Sequence, residues 1–189
     1  MKSKGIISNF SIFEIVIIAL MAALGLASKP IVVPLAHMIT APLFIPGGAV
    51  AGGFYMMWIV LAAALVNKRG AATLTAFAQS LMIMIMGSFG SHGAISVLTY
   101  TLPGLMVDLC FLVFRRQITI PLDFFVAGII ANLSGTYLSN LVFFRLPAIP
   151  LTLSLASGAL SGGLGGIIAY YISKKIADLG FDRYEGANK

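Results

Sequence analysis

The sequence is short of charged residues. Only 10% of its 189 residues are Asp, Glu, Lys or Arg, whereas 59% are hydrophobic. A soluble domain carries about 25% charged residues, and a soluble fold of this length could not bury so much apolar surface. We therefore predict that the chain is embedded in lipid, as a multi-pass membrane protein.

The sequence also lacks the residues of several kinds of functional site. Its single cysteine, Cys110, cannot form an internal disulfide, and its two histidines are too few for a good metal site. It has no phosphate-binding loop, so any ATP must be used by partner subunits. Ser91 and His92 have no acid nearby in the sequence that would suggest a catalytic triad. We predict that this chain holds no metal or other cofactor and is not an enzyme.

Long apolar runs separated by short polar gaps predict an all-α membrane protein with a single domain, residues 1–189. A transmembrane helix needs about 20 mostly apolar residues. We predict six such helices in one bundle, at residues 12–34, 49–66, 71–87, 93–114, 122–144 and 152–173. The polar turn 67–70 predicts a tight hairpin between the second and third helices. Pro30 and Pro34 are expected to kink or end the first helix near the outer face of the membrane.

The basic residues favour alternate gaps between these runs. Ten of the twelve lie in the N-terminus, the 2–3 gap, the 4–5 gap and the C-terminal tail, namely Lys2, Lys4, Lys68, Arg69, Arg115, Arg116, Lys174, Lys175, Arg183 and Lys189. Only Lys29 and Arg145 fall on the other side. Because basic residues near span ends remain cytoplasmic, we predict that both termini are cytoplasmic. The net charge of +6 therefore flanks the membrane, and we predict no nucleic-acid partner.

Polar side chains inside the predicted spans mark a candidate ligand site, because such groups are costly in a membrane and usually have a function. The predicted topology places Tyr137 and Asn140 of helix five and Tyr100 of helix four in the outer half of the bundle. Asn132 and Gln79 lie near mid-depth. Hydrogen-bonding groups among aromatic and methionine side chains suit a small organic ligand that contains a ring.

Two uncharged, flexible connections complete this candidate site on the outer side. The 1–2 connection contributes Phe44 and the Gly-rich 3–4 connection contributes His92, as lids over an outward-facing pocket. The predicted substrate-binding residues are thus Tyr137, Asn140, Asn132, Gln79, Tyr100, Phe44 and His92. An interhelical hydrogen bond is the alternative role for each of the helical amides and for Tyr137. For Asp108 a structural pair or a position near the cytoplasmic interface is favoured.

Small residues recur at intervals of four on two of the predicted helices. Helix one carries Ala19, Ala23 and Ala27, and helix six carries a glycine stripe, Gly158, Gly162 and Gly166. Such a stripe lets another helix approach closely. We name the first set the alanine stripe. It can either bind another helix or pack inside the bundle, whereas packing inside the bundle is favoured for the glycine stripe.

With these features the sequence resembles the substrate-binding S component of an energy-coupling factor (ECF) vitamin transporter. The resemblance covers nearly the whole chain and includes its length, six spans, cytoplasmic termini and the alanine stripe. It implies that the alanine stripe contacts a transmembrane coupling subunit and that two ATPase subunits supply the energy. The sequence is similar to the YkoE-like subgroup in the segment 67–72, in the scattered polar residues of helix three and in the Gly-rich 3–4 loop. That subgroup is linked to thiamine or its hydroxymethylpyrimidine precursor and has carried a cobalt permease label.

The resemblance implies a subunit of the prokaryotic plasma membrane that captures a vitamin or vitamin precursor, of the thiamine or hydroxymethylpyrimidine type, for ATP-driven uptake. A cationic ligand such as thiamine favours an acidic or aromatic partner. The outer half of these helices has no acid, but aromatic faces could be supplied instead by Tyr100, Tyr137, Tyr55, Trp58 and Phe89. A neutral precursor or another vitamin fits as well, whereas cobalt fits poorly for want of ligands.

Two other functions remain open. A stand-alone small-molecule transporter or channel would give flux in vesicles without partner subunits. A membrane-embedded enzyme acting on lipid or isoprenoid would need a metal cluster or a nucleophile–base pair within the membrane, and the sequence shows no clear example of either.

Overall fold

The computed structural model describes residues 10–86 and 95–180. Every regular element in these two ranges is a helix, which confirms the predicted all-α class. The six helices are α1 (Ile12–Thr40), α2 (Gly47–Val66), α3 (Ala71–Ile85), α4 (Ser96–Val113), α5 (Pro121–Ser139) and α6 (Ala148–Asp178). A short 3₁₀ turn, Ala41–Leu43, follows α1, and a π-helical turn, Asn140–Phe144, extends α5.

Within the described ranges, four helices are long and apolar enough to cross a membrane. These are α1 with its 3₁₀ turn, α2, α5 with its π-helical turn, and α6. The helices α3 and α4 are also apolar but shorter, at 15 and 18 residues. Six spans therefore remain a prediction, as does the side of the membrane on which the termini lie.

The helix α1 extends beyond its predicted span, 12–34. It begins with a capping box, in which the Ser11 hydroxyl accepts from the Glu14 N–H and a Glu14 carboxylate oxygen accepts from the Ser11 N–H. It then continues through Pro30 and Pro34 to Thr40. The expectation that these prolines could end the helix is wrong, because neighbouring helices in a membrane protein can support a helix at a proline.

The α2–α3 turn forms the predicted hairpin and is tied to the start of α1. Asn67 ends α2 in the left-handed region and Gly70 precedes α3 with a φ of 89°. The ammonium group of Lys68 lies 2.7 Å from a Glu14 carboxylate oxygen. The end of the bundle that carries most of the described basic residues is therefore held together by an ion pair.

Two more acids have structural partners at this same end. Asp108 of α4 accepts hydrogen bonds from the backbone N–H of Thr73 at 2.7 Å and from its hydroxyl at 2.6 Å. It thereby satisfies a free N–H in the first turn of α3. Asp123, near the start of α5, pairs with Arg116 at 3.1 Å. These contacts give Asp108 the structural role that the sequence favoured.

The glycine stripe of α6 packs inside the bundle against α5. Gly158, Gly162 and Gly166 are all buried. A Cβ added at Gly162 would lie 2.4 Å from the carbonyl oxygen of Gly128, and one added at Gly166 would lie 2.0 Å from that of Phe124. Backbones this close require glycine, so internal packing is the role of this stripe.

Candidate ligand cavity

A cavity of about 520 Å³ lies among the helices. It is at the end of the bundle opposite to the basic turns, by which we mean the α2–α3 turn with Lys68 and Arg69 and the α4–α5 turn with Arg115 and Arg116. All six helices contribute to its lining, together with the α1–α2 connection. Its volume falls within the range of about 300–1,000 Å³ that is usual for small-molecule sites. This end of the bundle is the one that the distribution of basic residues predicts to face outward.

One face of α1 lines this cavity along its length. Gly25, Lys29, Val33 and His37 all lie in the cavity wall. They are spaced by four residues, which places them on one side of the helix. The part of α1 beyond Lys29 is therefore a wall of the candidate site.

Lys29 is held inside the cavity by two aromatic rings. Its ammonium group lies 4.1 Å from the ring centroid of Tyr100 and 5.3 Å from that of Tyr55, within the usual distance for cation–π interactions. It also donates a hydrogen bond to the Tyr100 hydroxyl. The Tyr55 hydroxyl donates in turn to the carbonyl of Gly48 at 2.9 Å, which orients that ring. The site therefore contains a positioned cation.

This position of Lys29 differs from the one predicted from the sequence, in which Lys29 is a charge that flanks the outer membrane face. The error follows from the expectation that α1 ends near Pro34. A signal was present, because apolar sequence resumes at residues 31–36, so that Lys29 has apolar residues on both sides. A charge enclosed in this way is a functional candidate by default.

No carboxylate lines the cavity among the described residues. The same ranges contain no group of three or more His, Cys, Asp or Glu side chains that could hold a metal ion. The described lining therefore provides no cluster of side chains that could coordinate a metal ion.

Gln79 of α3 lines the cavity and is only 5% exposed. Its Nε2 has no hydrogen-bond partner among the described residues. A rotation about the last torsion exchanges the nitrogen and the oxygen, so this amide can offer a donor or an acceptor to a ligand. Gly25 makes room for it, since a Cβ added there would lie 2.2 Å from Nε2.

Asn140 lines the cavity where α5 changes into its π-helical turn. Its Oδ1 accepts a hydrogen bond from the Leu146 N–H at 2.8 Å. With the oxygen used in this way, the side-chain NH₂ is the group that it can offer to a ligand. Asn140 thus stabilises the α5–α6 connection and also contributes to the cavity wall.

Tyr137 and Asn132 of α5 do not line the cavity. Tyr137 is 50% exposed, since it lies about 100° around the helix from the lining residue Thr136. Asn132 is completely buried, and its Nδ2 donates to the carbonyls of Ala49 at 2.9 Å and Gly158 at 2.8 Å. Asn132 therefore joins α2, α5 and α6 by interhelical hydrogen bonds, which is the alternative role given for it from the sequence.

The α1–α2 connection brings Phe44 to the rim of the cavity. Phe44 lines the cavity while 75% exposed, and its φ of 56° turns the chain sharply there. The turn is fixed by the Thr40 hydroxyl, which donates to the Ile45 carbonyl at 2.9 Å. His92, the other predicted lid residue, lies outside the described residues. Four of the predicted residues therefore share the cavity, namely Gln79, Tyr100, Asn140 and Phe44.

The alanine stripe lies on the side of α1 that faces away from the cavity. Ala27 is two residues from Lys29, which is about 200° around the helix. Ala23 and Ala27 are exposed and Ala19 is half-buried. Large apolar side chains such as Leu20 and Leu24 are exposed beside them. This surface is available to lipid or to another subunit.

Comparison with known proteins gives both a family and a fold. Residues 13–134 match the family model described as "ABC-type cobalt transport system, permease component". The chain is also similar to a crystal structure of an S component of an ECF transporter, with a TM-score of 0.75 and 19% sequence identity, over 90% of this chain and 87% of that one. No curated protein matches this chain at a significant level.

These findings bear directly on the predictions. They confirm the resemblance to an ECF S component, the multi-pass membrane location and the absence of an enzymatic role. Neither the family model nor the similar crystal structure tests the prediction of thiamine or of the YkoE-like subgroup. The chain belongs to the family of permease components of ABC-type cobalt transport systems, and its fold is that of an ECF S component.

Proposed function

We propose that this chain is the substrate-binding S component of an ECF-type ABC transporter. It captures a vitamin or vitamin precursor from outside and releases it inside, while two ATPase subunits supply the energy. The observation that carries this proposal is the cavity of about 520 Å³, which opens among all six helices at the end opposite to the basic turns.

The alanine stripe is the surface that we propose for the transmembrane coupling subunit. Its small side chains allow another helix to approach α1 closely. It shares α1 with the cavity wall but faces the other way. A partner can therefore bind this surface without contacting the ligand.

The cavity lining narrows the choice among the candidate ligands. The ammonium group of Lys29 repels a cation such as thiamine, because the described lining residues supply no carboxylate that would offset its charge. The neutral hydroxymethylpyrimidine precursor meets no such repulsion, and the apolar wall suits its ring. Cobalt ion, named in the family description, finds no cluster of ligands among the described residues.

The test is co-expression with a coupling subunit and two ATPases, followed by purification and reconstitution. We expect a stable complex and uptake of labelled hydroxymethylpyrimidine that requires ATP inside the vesicles. Equal uptake by the chain alone would refute the proposal in favour of a stand-alone transporter. A stable complex that takes up neither this compound nor thiamine would retain the S-component role and reject the ligand class.

Ala23→Trp tests the coupling surface separately. The indole should keep the partner helix away from α1, so that uptake falls at least tenfold while binding to the isolated chain is retained. Ala156→Trp is the matched control, because Ala156 is an exposed alanine on α6 and should tolerate the change. If Ala23→Trp abolished binding and uptake in parallel, the stripe would be part of the internal packing instead.

A further inference from the structure

The cavity holds a cation without a carboxylate to balance it. We infer that the ligand carries an anionic group, a carboxylate or a phosphate, that binds the ammonium group of Lys29. This inference rests on the proposed function and refines its ligand: an anionic form, such as the phosphate ester of hydroxymethylpyrimidine, should bind the same cavity more tightly than the neutral compound.

Within residues 10–86 and 95–180, no acidic side chain supplies the counter-charge for Lys29. Among the described acids, Glu14 pairs with Lys68 and Asp123 pairs with Arg116. Asp108 accepts from Thr73, and the remaining described acid, Asp178, ends α6 at the opposite end of the bundle.

The primary sequence extends this argument to the whole outer end. It contains no Asp or Glu in residues 15–107, 109–122 or 124–177. The connection between α3 and α4 therefore supplies none either. A charge within a membrane protein normally pairs with an opposite charge or lies in a water-filled cavity. The ligand is the remaining source of an anion.

The hydrogen bonds of Lys29 leave room for such a group. An ammonium group has three N–H donors and no acceptor. One donates to the Tyr100 hydroxyl, and the rings of Tyr100 and Tyr55 hold the ammonium group from the side. The two remaining donors match the paired oxygens of a carboxylate or phosphate, which form the stronger, charge-assisted type of hydrogen bond.

The surroundings of Lys29 define the rest of this ligand. The amide groups of Asn140 and Gln79 lie in the same lining and can donate to further oxygens. Val33 and Ile45 supply apolar wall. The expected ligand is therefore a small molecule with an apolar or aromatic body and one acidic group, and not a cation.

The experiment compares matched pairs of small molecules by calorimetry on the full-length chain in detergent. Nicotinate with nicotinamide and pantothenate with pantothenol test a carboxylate. The phosphate esters of pyridoxine and of hydroxymethylpyrimidine, each against its parent alcohol, test a phosphate. Each pair is measured on the wild type, Lys29→Met, Lys29→Arg and Arg145→Gln. Arg145 is the control, since it is the other basic residue of this end, is exposed and does not line the cavity.

We expect at least one anionic member to bind about 10- to 100-fold more tightly than its neutral partner, as a charge-assisted hydrogen bond would give. Lys29→Met should abolish this preference while leaving the affinity for the neutral partner within about threefold. Lys29→Arg should retain most of it, and Arg145→Gln all of it. A preference among the carboxylate pairs or among the phosphate pairs shows which of the two anionic groups the cavity binds.

Three results would overturn the inference: tighter binding of neutral members or of thiamine, a preference for anions that survives Lys29→Met, or no binding by any pair. If Lys29→Met does not fold, loss of the preference must be sought in Lys29→Gln, which also lacks the charge. Assembly with the coupling and ATPase subunits is measured in parallel. Assembly without a preference for anions would refute this inference alone. A chain that neither assembles nor binds any of these compounds would refute the proposed function as well.

Discussion

Gly52→Ala should destabilise the bundle through its effect on Asn132. A Cβ added at Gly52 of α2 would lie 1.8 Å from Oδ1 of Asn132, 2.3 Å from its Cγ and 2.5 Å from its Nδ2. The amide cannot move aside freely, because its nitrogen donates to both Ala49 and Gly158. The substitution therefore requires either the loss of these two hydrogen bonds or a separation of α2 from α5.

The magnitude follows from these contacts. Interhelical hydrogen bonds in membrane proteins average about 0.6 kcal/mol each, and a buried amide left without partners costs about 1–3 kcal/mol. Replacing glycine by alanine within a helix returns roughly 0.5–1 kcal/mol. We expect a net loss of about 1–3 kcal/mol in the free energy of unfolding.

A double-mutant cycle in mixed detergent micelles, with unfolding by added dodecyl sulfate, measures this effect. In an Asn132→Ala background the three nearest atoms are gone, so Gly52→Ala should be close to neutral. The difference between the two backgrounds should be about 1–3 kcal/mol, as expected for residues in direct contact. An equal cost of Gly52→Ala in both backgrounds would refute this reasoning and return Asn132 to the candidate site.

Two further predictions concern a residue of the cavity wall and the orientation of the chain in the membrane. Gly25→Ala places a Cβ 2.2 Å from Gln79 Nε2. This amide nitrogen has no partner in the described structure and can move. The free energy of unfolding should therefore change by less than about 1 kcal/mol. Ligand affinity should fall roughly 5- to 30-fold by calorimetry, as for one lost hydrogen bond, and unchanged affinity would place the ligand away from Gln79. For the topology, in a Cys110→Ala background, a cysteine at Lys68 should be shielded from an impermeant thiol reagent in intact cells and one at Ser91 should be labelled. The reverse pattern would place the cavity on the cytoplasmic side.

The helices could be predicted from the sequence because lipid imposes a simple requirement on each of them. Every backbone polar group must be satisfied within its own helix, so that each helix appears as a long apolar run. The hairpin between α2 and α3 was predicted most accurately. There the polar residues 67–70 interrupt two such runs and include Asn67 and Gly70 with positive φ. The end of α1 was missed because proline weakens a helix locally, whereas its neighbours decide whether the helix continues.

The candidate site could be predicted only in part, because hydropathy gives the depth of a residue but not its partners. Gln79 and Asn132 are both amides near mid-depth, yet one lines the cavity and the other joins three helices. What distinguishes them is the position of glycines on other helices, Gly25 beside Gln79 and Gly52 beside Asn132. These contacts join residues that are distant in sequence, and a single sequence does not reveal them.

If the chain works as proposed, the two faces of α1 would connect ligand binding to the coupling subunit. Lys29 and Ala27 lie on opposite sides of one helix, so any rigid movement of this helix shifts the cavity wall and the alanine stripe together. Pro30 and Pro34 follow directly, and because proline has no N–H, the carbonyls of Leu26 and Pro30 lack their usual helical donors. The helix is therefore weakened next to Lys29. In the proposed complex, an anion bound to this ammonium group would act on α1 beside this weakened point, and a change in the helix angle would move the alanine stripe.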